Sequence, residues 1–506
     1  GAGILIGAPS NGGTAGIVTT DRAGGNGYDS GDYTYSFGGT SAATPIASGV
    51  VALMLEANAD LGYRDVQEIL AYSARQVDVS DPGWAWNGAA NWNGGGLHVS
   101  HDFGFGLIDA HAAVRLAETW DPQSTRANET VVSGYSAPNR SIIDNGTIGD
   151  TITIASGLDI DHVEVRLNID HSWIGDLVVT LTSPDGTVST LVDRPGVNSG
   201  SAWGSSQDDI RFTLDSTHHW GETGEGAWTL SVADHYAADS GILENWTLSL
   251  YGDTADADDT YVYTDEFGAV LGRSGQDGRA VLSDAGGTDT INAAAVTLDA
   301  TLDLRAGASS SLAGGALTIA EGTLIEDAYL GDGADRLTGN EIANRLDGGR
   351  GNDAIDGGAG DDLLIGGAGD DVLTGGEGID TAWYGSDFLG YSLTYGTDWI
   401  TISGGEGTDW LSGIEWLRFA DQTISTEFIA AVDDSAATVE DQSLTIQAQT
   451  LLANDTAPSD GTISVVAVAG ASSGSVLLSA NGDVVYTPDQ DFSGTDSFTY
   501  SIRSGS

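Results

Sequence analysis

One serine of this chain stands where its hydroxyl could act as a nucleophile. Ser41 lies in the segment GGTSAATPIASGVVALMLEAN, in which glycines lead directly into an apolar pattern of helical spacing. A helix start directs unpaired backbone N–H groups and positive dipole at anything bound beside it. Glycine permits a close approach there, and Pro45 lacks an N–H that a helix start can spare. Ser41 is therefore a nucleophile or an N-cap, for which serine is also favoured.

A second set of chemically suggestive residues recurs with a period of nine. Six units, LGDGADRLT, GNEIANRLD, GGRGNDAID, GGAGDDLLI, GGAGDDVLT and GGEGIDTAW, run without a gap from 330 to 383. Two such units would make one turn of a stacked coil, with the eighth-position aliphatic residues as its narrow core. Carboxylates and loop carbonyls would then converge on oxygen cages suited to Ca²⁺. The sixth positions, which we expect to hold calcium, are Asp335, Asn344, Asp353, Asp362, Asp371 and Asp380.

The elements that must position these residues change along the chain. Residues 1 to about 122 carry helical signals, with Asp109 as a predicted N-cap. From about 125 to 253 apolar residues alternate with polar ones, as along 163–169, which predicts a β-sandwich. The last zone, 431–506, also alternates, and we expect it to be a truncated β-domain.

Composition restricts the partners. The 506 residues include 74 Asp plus Glu against 17 Lys plus Arg, a formal charge of −57. Such a surface repels nucleic acid and anionic membranes and attracts divalent cations, although acidic residues also serve simply for solvation. The absence of cysteine excludes disulfides, thiolate metal sites and a cysteine nucleophile. No uninterrupted apolar run reaches membrane-spanning length, and because the chain begins with Gly1 we expect a fragment or a processed piece.

The serine motif resembles that of a known protease family. GGTSAATPIASG is similar to the G-T-S-x-x-x-P nucleophile motif of subtilisin-like serine proteases, and IVTTD, YRDVQEIL and HVSHDFGFGLIDA resemble its kexin and furin branch. HSWIGDLVVTLTSPDGTV and GEGAWTLSVAD resemble the P domain that follows the catalytic domain there. The resemblance implies that Ser41 is a protease nucleophile that hydrolyses peptide bonds through an acyl-enzyme.

The same resemblance sets expectations for the rest of the site. The family's triad runs in the order Asp, His, Ser, so the Asp, the His and the oxyanion Asn are expected before residue 1, and the chain alone is expected to be inactive. His98 and His101 follow the serine and are interpreted as structural. Asn11 lies too close to Ser41 to be the oxyanion asparagine and is placed in a loop.

The nonapeptides resemble the RTX parallel β-roll, and their flanks resemble the C-terminal domain of serralysin-type secreted proteases, although the H-E-x-x-H zinc motif is absent. This resemblance implies a Ca²⁺ cofactor, folding of the repeats when calcium binds, and export by type I secretion machinery. Asn344 and Ala382 depart from the repeat, so the outer coils are expected to bind calcium weakly. The tail VEDQSLTIQAQTLLANDT resembles bacterial cadherin-like repeats.

Together these features predict a multidomain chain. It comprises part of an α/β subtilisin-like domain (1–122), a β-sandwich P domain (125–253), a serralysin-like domain with a parallel β-roll (255–430) and a β-sandwich tail (431–506). The predicted function is a secreted, calcium-dependent serine endopeptidase acting on protein or peptide substrates, with no nucleic-acid partner and no membrane insertion. The alternative is a calcium-binding adhesion or matrix protein with a degenerate protease domain.

Overall fold

The structure of the protein is a computed structural model that describes residues 1–11, 16–121, 123–155, 157–396, 399–426, 432–455 and 462–505. These residues form two compact units, Gly1–Gly413 and Ile414–Ser506. The larger unit contains Ser41, the zone of alternating residues and all six nonapeptides.

Three helices organise the first part of the larger unit: α1 (Thr40–Ala57), α2 (Tyr63–Ser73) and α3 (Ala110–Glu118). Gly39 precedes α1 with φ at 78°, a conformation that glycine adopts without strain. The N-cap predicted for α3 is confirmed, because the Asp109 carboxylate accepts from the N–H groups of His111 and Ala112. The strands of this part are Ile17–Thr20, Tyr33–Phe37, Ala85–Trp86 and His98–Val99.

Helix α1 packs on one side only. Val50 and Met54 are buried in a core shared with α2 and α3, whereas Leu53 is 48% exposed and Leu55 is 42% exposed. The side chain of Asn58, just beyond α1, donates to the carbonyl of Ala117 in the last turn of α3 and to that of Trp120 just after it, each at 3.0 Å. The two helices are therefore tied at their ends as well as through the core. By length and composition alone, α1 is also a helix that could cross a membrane.

Two antiparallel sheets form the next part and share one core. Val163, Val165 and Ile169 are fully buried there, together with Trp228 of the opposite sheet. Arg64 of α2, itself 2% exposed, joins this part to the helices through ion pairs. One sheet contains Val188–Asp193, Leu177–Thr182, Gly226–Asp234 and Thr147–Ile154; the other contains Ile210–Ser216, Leu158–His171, Gly241–Thr254, Thr130–Ser136 and Arg140–Ile142.

The repeats stack as short strands that alternate between two parallel sheets. Leu337 lies beside Ile355 in one sheet, and Leu346 lies beside Leu364 in the other, so one turn takes two nonapeptides. The eighth-position side chains are at most 2% exposed and form the narrow core. The first sheet contains Thr260–Thr264, Thr290–Ala295, Asp327–Tyr329, Arg345–Asp347, Leu363–Ile365 and Thr381–Trp383.

The second sheet of this stack is longer and ends in antiparallel strands. The short helix α4 (Phe267–Leu271) lies before its first strand in the chain. Its strands are Val281–Leu282, Gly315–Ile319, Ser309–Leu312, Thr301–Asp303, Arg336–Thr338, Ala354–Ala359, Val372–Glu377, Thr408–Ser412, Ile400–Ser403 and Ser392–Tyr395.

The smaller unit has a core of its own around Leu451, Val465 and Val484. It contains one short helix, α5 (Ala448–Leu451). Its strands are Trp416–Arg418, Thr423–Ser425, Leu444–Ile446, Thr462–Ala469, Gly474–Leu478, Val484–Pro488 and Thr499–Gly505.

The loops of the stack require glycine where neighbouring turns touch. Gly367 has φ at 92°, and a Cβ there would lie 2.0 Å from the carbonyl oxygen of Gly349. We expect Gly367→Ala to lower the free energy of unfolding in calcium by about 2 kcal/mol or more, measured by urea unfolding. Gly405→Ala is the matched control, since a Cβ there meets open space, and its effect should stay below about 0.5 kcal/mol. Equal losses in the two variants would contradict this account of the loops.

Candidate functional site

Ser41 lies in the first turn of α1. Since Gly39 precedes the helix and the helix begins at Thr40, Ser41 is not the N-cap, and that alternative is excluded. The side chain is exposed, and its backbone N–H belongs to the turn whose N–H groups lack acceptors within the helix. Pro45 lies in the second turn of α1 and not at the helix start, where the sequence placed it. The carbonyl of Ser41 therefore receives no hydrogen bond from an N–H at position 45.

Two side chains of the preceding loop hold the turn that presents Ser41. Asn11 accepts a hydrogen bond at Oδ1 from the N–H of Gly39 at 2.9 Å. The hydroxyl of Ser10 donates to the carbonyl of the same glycine, also at 2.9 Å. Asn11 therefore lies in a loop, as predicted, and in addition anchors the start of α1.

The two histidines that follow Ser41 are engaged elsewhere. His98 is 1% exposed, and its Nε2 lies 2.9 Å from a carboxylate oxygen of Glu266. His101 accepts at Nε2 from the N–H of Thr190 at 2.7 Å, and burial lowers the pKa of its ring. Both histidines therefore have the structural role that the sequence predicts.

The stack brings the sixth-position residues together in two columns. On the first edge, Oδ1 of Asp353 accepts from the N–H of Asp335 at 2.8 Å, and Oδ1 of Asp371 accepts from the N–H of Asp353 at 2.8 Å. On the second edge, the same bond joins Asp362 to the N–H of Asn344 at 2.8 Å and continues to Asp380 at 3.0 Å. Each column therefore places buried carboxylates one turn apart.

The second carboxylate oxygen, Oδ2, of these aspartates is placed where a metal ion could bind. A Cβ on Gly348 would lie 2.5 Å from Oδ2 of Asp353, and one on Gly357 would lie 2.4 Å from Oδ2 of Asp362, so glycine keeps this space open. A buried carboxylate oxygen without a donor is costly, and oxygen-only surroundings suit Ca²⁺. The residues present therefore fit calcium. Within the described chain, the buried Oδ2 atoms without a hydrogen-bond partner include those of Asp335, Asp353, Asp362 and Asp371.

The electrostatics of the columns agree with this fit. Burial raises the pKa of Asp353 to about 8, and the carboxylates of Asp335 and Asp371 above and below it add to the rise. Burial likewise raises the pKa values of Asp335 and Asp362 to about 6. Without a cation, these groups therefore retain protons that ordinary aspartates lose.

Asn344 differs from the other members of the columns. Its Oδ1 accepts from the N–H of Asn340 at 2.9 Å, and its Nδ2 donates to the carbonyls of Ile325 and Glu326. The amide thus bonds directly to carbonyls that an ion could otherwise bind. At this end of the second column, the Asn344 amide therefore occupies hydrogen bonds that an ion would otherwise make.

The sequence analysis missed one member of the first column. Oδ1 of Asp409 accepts from the N–H of Asp371 at 3.0 Å, and burial raises the pKa of Asp409 to about 6. Asp409 is the sixth residue of GGEGTDWLS, a further nonapeptide separated from the others by residues 384–403. A search that allowed an insertion between units would have found it.

A further acidic group lies near the start of the stack. One carboxylate oxygen from each of Asp259, Asp284 and Asp289 lies within 4.8 Å of the others, which could hold a metal ion. Asp289 is fully buried, and its Oδ1 accepts from the N–H of Asp259 at 2.9 Å, as in the columns. The sequence signal is DAGGTD at 284–289, which echoes the glycine-rich half of a nonapeptide.

Four protein families match successive parts of the chain. Residues 10–106 match the subtilase family, and residues 160–250 match the proprotein convertase P-domain. Residues 329–364 and 347–382 match the RTX calcium-binding nonapeptide repeat. Residues 427–506 match a bacterial Ig domain. The chain therefore combines a subtilase segment with a P domain, RTX repeats and a bacterial Ig domain. The first three confirm the predicted resemblances, whereas the tail matches a bacterial Ig domain where a cadherin-like repeat was predicted.

The relatives are of the kexin and furin type. The chain is 35% identical over 247 residues to proprotein convertase subtilisin/kexin type 4 of Homo sapiens, a match that covers 47% of the chain and 30% of that protein. It is 32% identical over 226 residues to protease KEX1 of Kluyveromyces lactis, covering 44% of the chain and 28% of that protein. The chain thus spans less than a third of the length of these two relatives. A crystal structure of an Aeromonas sobria serine protease with a chaperone aligns at a TM-score of 0.42 and 25% identity, covering 48% of this chain and 52% of that one.

The raised pKa values predict how calcium binding depends on pH. Because folded, metal-free Asp353 holds its proton up to about pH 8, and unfolded aspartate only to about 3.9, protonation stabilises the metal-free stack at low pH. This contribution is lost progressively as the pH rises from about 4 to about 8. Calcium must displace these protons, so its apparent affinity should rise about tenfold or more from pH 6 to pH 8.

Calcium titration calorimetry of the chain at several pH values measures this dependence. Asp353→Asn should weaken binding and flatten the increase between pH 7 and 8. Asp387→Asn, at an exposed position outside the columns, is the control and should follow the wild-type curve. An affinity that does not change between pH 6 and 8 would contradict the assignment.

Proposed function

We propose that this chain is part of a secreted, calcium-dependent serine endopeptidase of the kexin type. One observation carries the proposal: Ser41 is exposed in the first turn of α1 and does not cap it, within a subtilase segment that precedes a P domain. The hydroxyl is therefore available to attack the carbonyl of a protein or peptide substrate.

The chemistry assigns separate roles to the two groups of Ser41. The hydroxyl forms the acyl-enzyme after a histidine base has taken its proton, and an aspartate orients that histidine. The N–H of Ser41, in the first helical turn, is one donor to the oxyanion, and an asparagine side chain is the other. Since His98 and His101 are held in other contacts, we place the base, its aspartate and the asparagine before Gly1.

The exposed side of α1 supports this placement. Leu53 and Leu55 are large apolar residues, each more than 40% exposed, on the helix that carries the serine. Burying such side chains stabilises a fold by about 1.5–3 kcal/mol each. Leu53 and Leu55 flank the buried stripe of Val50 and Met54 on opposite sides. We propose that the earlier part of the catalytic domain covers α1 on these flanks and brings the other catalytic residues to Ser41.

The stack supplies the calcium dependence. We propose that Asp335, Asp353, Asp362, Asp371 and Asp380 hold Ca²⁺ with loop backbone carbonyls, and that Asp409 extends the first column. Bound calcium supplies positive charge that cancels the repulsion between stacked carboxylates. Asn344 contributes by closing its column rather than as a strong ligand, which fits the weak outer coil expected from the sequence.

The proposed site of action is outside the cell. RTX repeats and a bacterial Ig domain both support an extracellular or cell-surface protein, and the repeats support export by type I secretion machinery. The bacterial Ig match also favours the second candidate, a calcium-binding adhesion protein with a degenerate protease domain. Activity-based labelling of the full-length protein distinguishes the two, since a degenerate domain would not react.

In the full-length protein, Ser41→Ala should reduce peptide hydrolysis about a million-fold, as loss of a subtilisin triad serine does. The measurement is hydrolysis together with labelling by a fluorophosphonate probe. Ser48→Ala is the matched control: it removes another exposed hydroxyl from the same helix, one that donates to the carbonyl of Thr44. Equal labelling of wild type and Ser41→Ala would overturn the assignment of the nucleophile. Ser41-dependent turnover by the 506-residue chain alone would instead overturn the placement of the base before Gly1.

A further inference from the structure

Helix α3 contacts the stack at one edge. Arg115 Nε lies 2.9 Å from one carboxylate oxygen of Asp332, and His111 Nε2 lies 2.8 Å from the other. Arg115 also donates to the carbonyl of Gly331 at 3.3 Å, and Arg350 forms an ion pair with Glu118 at 2.9 Å. Three polar side chains of α3 therefore contact two glycine-rich loops: His111 and Arg115 bind the loop of Gly331 and Asp332, and Glu118 pairs with Arg350.

These loops belong to the first edge of the stack. Gly331 and Asp332 lie in the loop that ends at Asp335, and Arg350 lies in the next loop on that edge, which ends at Asp353. The N–H of Arg350 donates to the carbonyl of Gly331 at 2.8 Å, so the two loops that α3 contacts are also in contact with each other. The contacts of α3 therefore depend on the position of the loops that carry the first column.

The other end of this connection is the helix that carries Ser41. Leu116 of α3 and Met54 of α1 are fully buried in one core, which also includes Ala295 from a strand of the stack. The bonds from Asn58 to the end of α3 add a polar tie. Movement or unfolding of α3 would therefore disturb α1 directly.

We propose that calcium bound between the loops of Asp335 and Asp353 controls the order of α1 through α3. Without the cation, the two buried acidic groups lose the ion that joins their loops, and the glycine-rich loops lose their fixed position. Arg115, which is 5% exposed, then loses Asp332 and the Gly331 carbonyl and retains only Glu118 beside it. A buried guanidinium without its partners is unfavourable, so α3 loosens with the loops.

This inference rests on the proposed calcium stack, and it makes calcium a regulator of the serine's helix rather than only of the repeats. The chain would carry a loosened serine helix where calcium is scarce and an ordered one where it is abundant. We assign the coupling to the first edge, because the residues that α3 holds by these ion pairs and hydrogen bonds, Gly331, Asp332 and Arg350, all lie in loops of that edge.

Hydrogen exchange of the whole chain, followed by mass spectrometry in calcium and in excess chelator, tests the coupling. In the wild type, chelation should speed exchange of the amides of α3 and α1 by about tenfold or more. Asp353→Ala, at a calcium concentration that saturates the wild type, should reproduce this effect in α3 and α1. Asp362→Ala is the matched control: it removes the same group from the second edge and should speed exchange only in its own loops.

A second variant keeps the test decisive if Asp353→Ala unfolds the whole stack. Asp332→Asn removes the negative charge that pairs with Arg115 and His111 and leaves the column carboxylates intact. Hydrogen exchange in α3 should then no longer respond to calcium, whereas exchange in the repeats should still slow when calcium is added. Calcium protection of the repeats without any change in α3 of the wild type would overturn the coupling alone. Absence of calcium protection in the repeats would overturn the calcium stack and the coupling together. Equal effects of Asp353→Ala and Asp362→Ala on α3 would overturn the assignment to the first edge.

Discussion

Repulsion between buried carboxylates is the constraint on which this structure depends. Asp335, Asp353 and Asp371 succeed one another at intervals of one turn, each at most 4% exposed. The backbone N–H bonds satisfy one oxygen of Asp353 and Asp371 and leave the other facing the space kept open by glycine. A core built from two eighth-position side chains in each turn offers little to offset that cost. The fold therefore requires protons or a cation, and as the pH rises through the raised pKa values of these aspartates a cation such as calcium must replace the protons.

The same constraint extends beyond the repeats. The start of the stack shares its apolar core with α1 and α3, and α3 holds two of its loops by ion pairs. What stabilises the columns therefore also stabilises the helix that presents Ser41. In our proposal, the order of the protease segment therefore depends on calcium bound in the repeats.

Much of this organisation could be predicted from the sequence, because it is local. The period of nine predicts the columns, and the alternation along 163–169 predicts the buried face of the sheet. The rest depends on contacts that no short pattern contains. Asp409 is separated from its column by an insertion, and the amide of Asn344 finds its carbonyl partners only in the folded stack. The ion pair of Arg115 with Asp332 joins residues far apart in the chain, so the connection between serine helix and repeats could not be predicted at all.

Small-angle X-ray scattering of the chain in excess chelator and in millimolar calcium tests the central claim most directly. If the buried carboxylates prevent the stack from ordering, the radius of gyration should be larger in chelator and should fall when calcium is added. Magnesium at the same concentration should not reproduce the contraction, because it gives up its water reluctantly and demands a stricter geometry. Superimposable scattering curves in chelator and calcium, at neutral pH, would contradict the account.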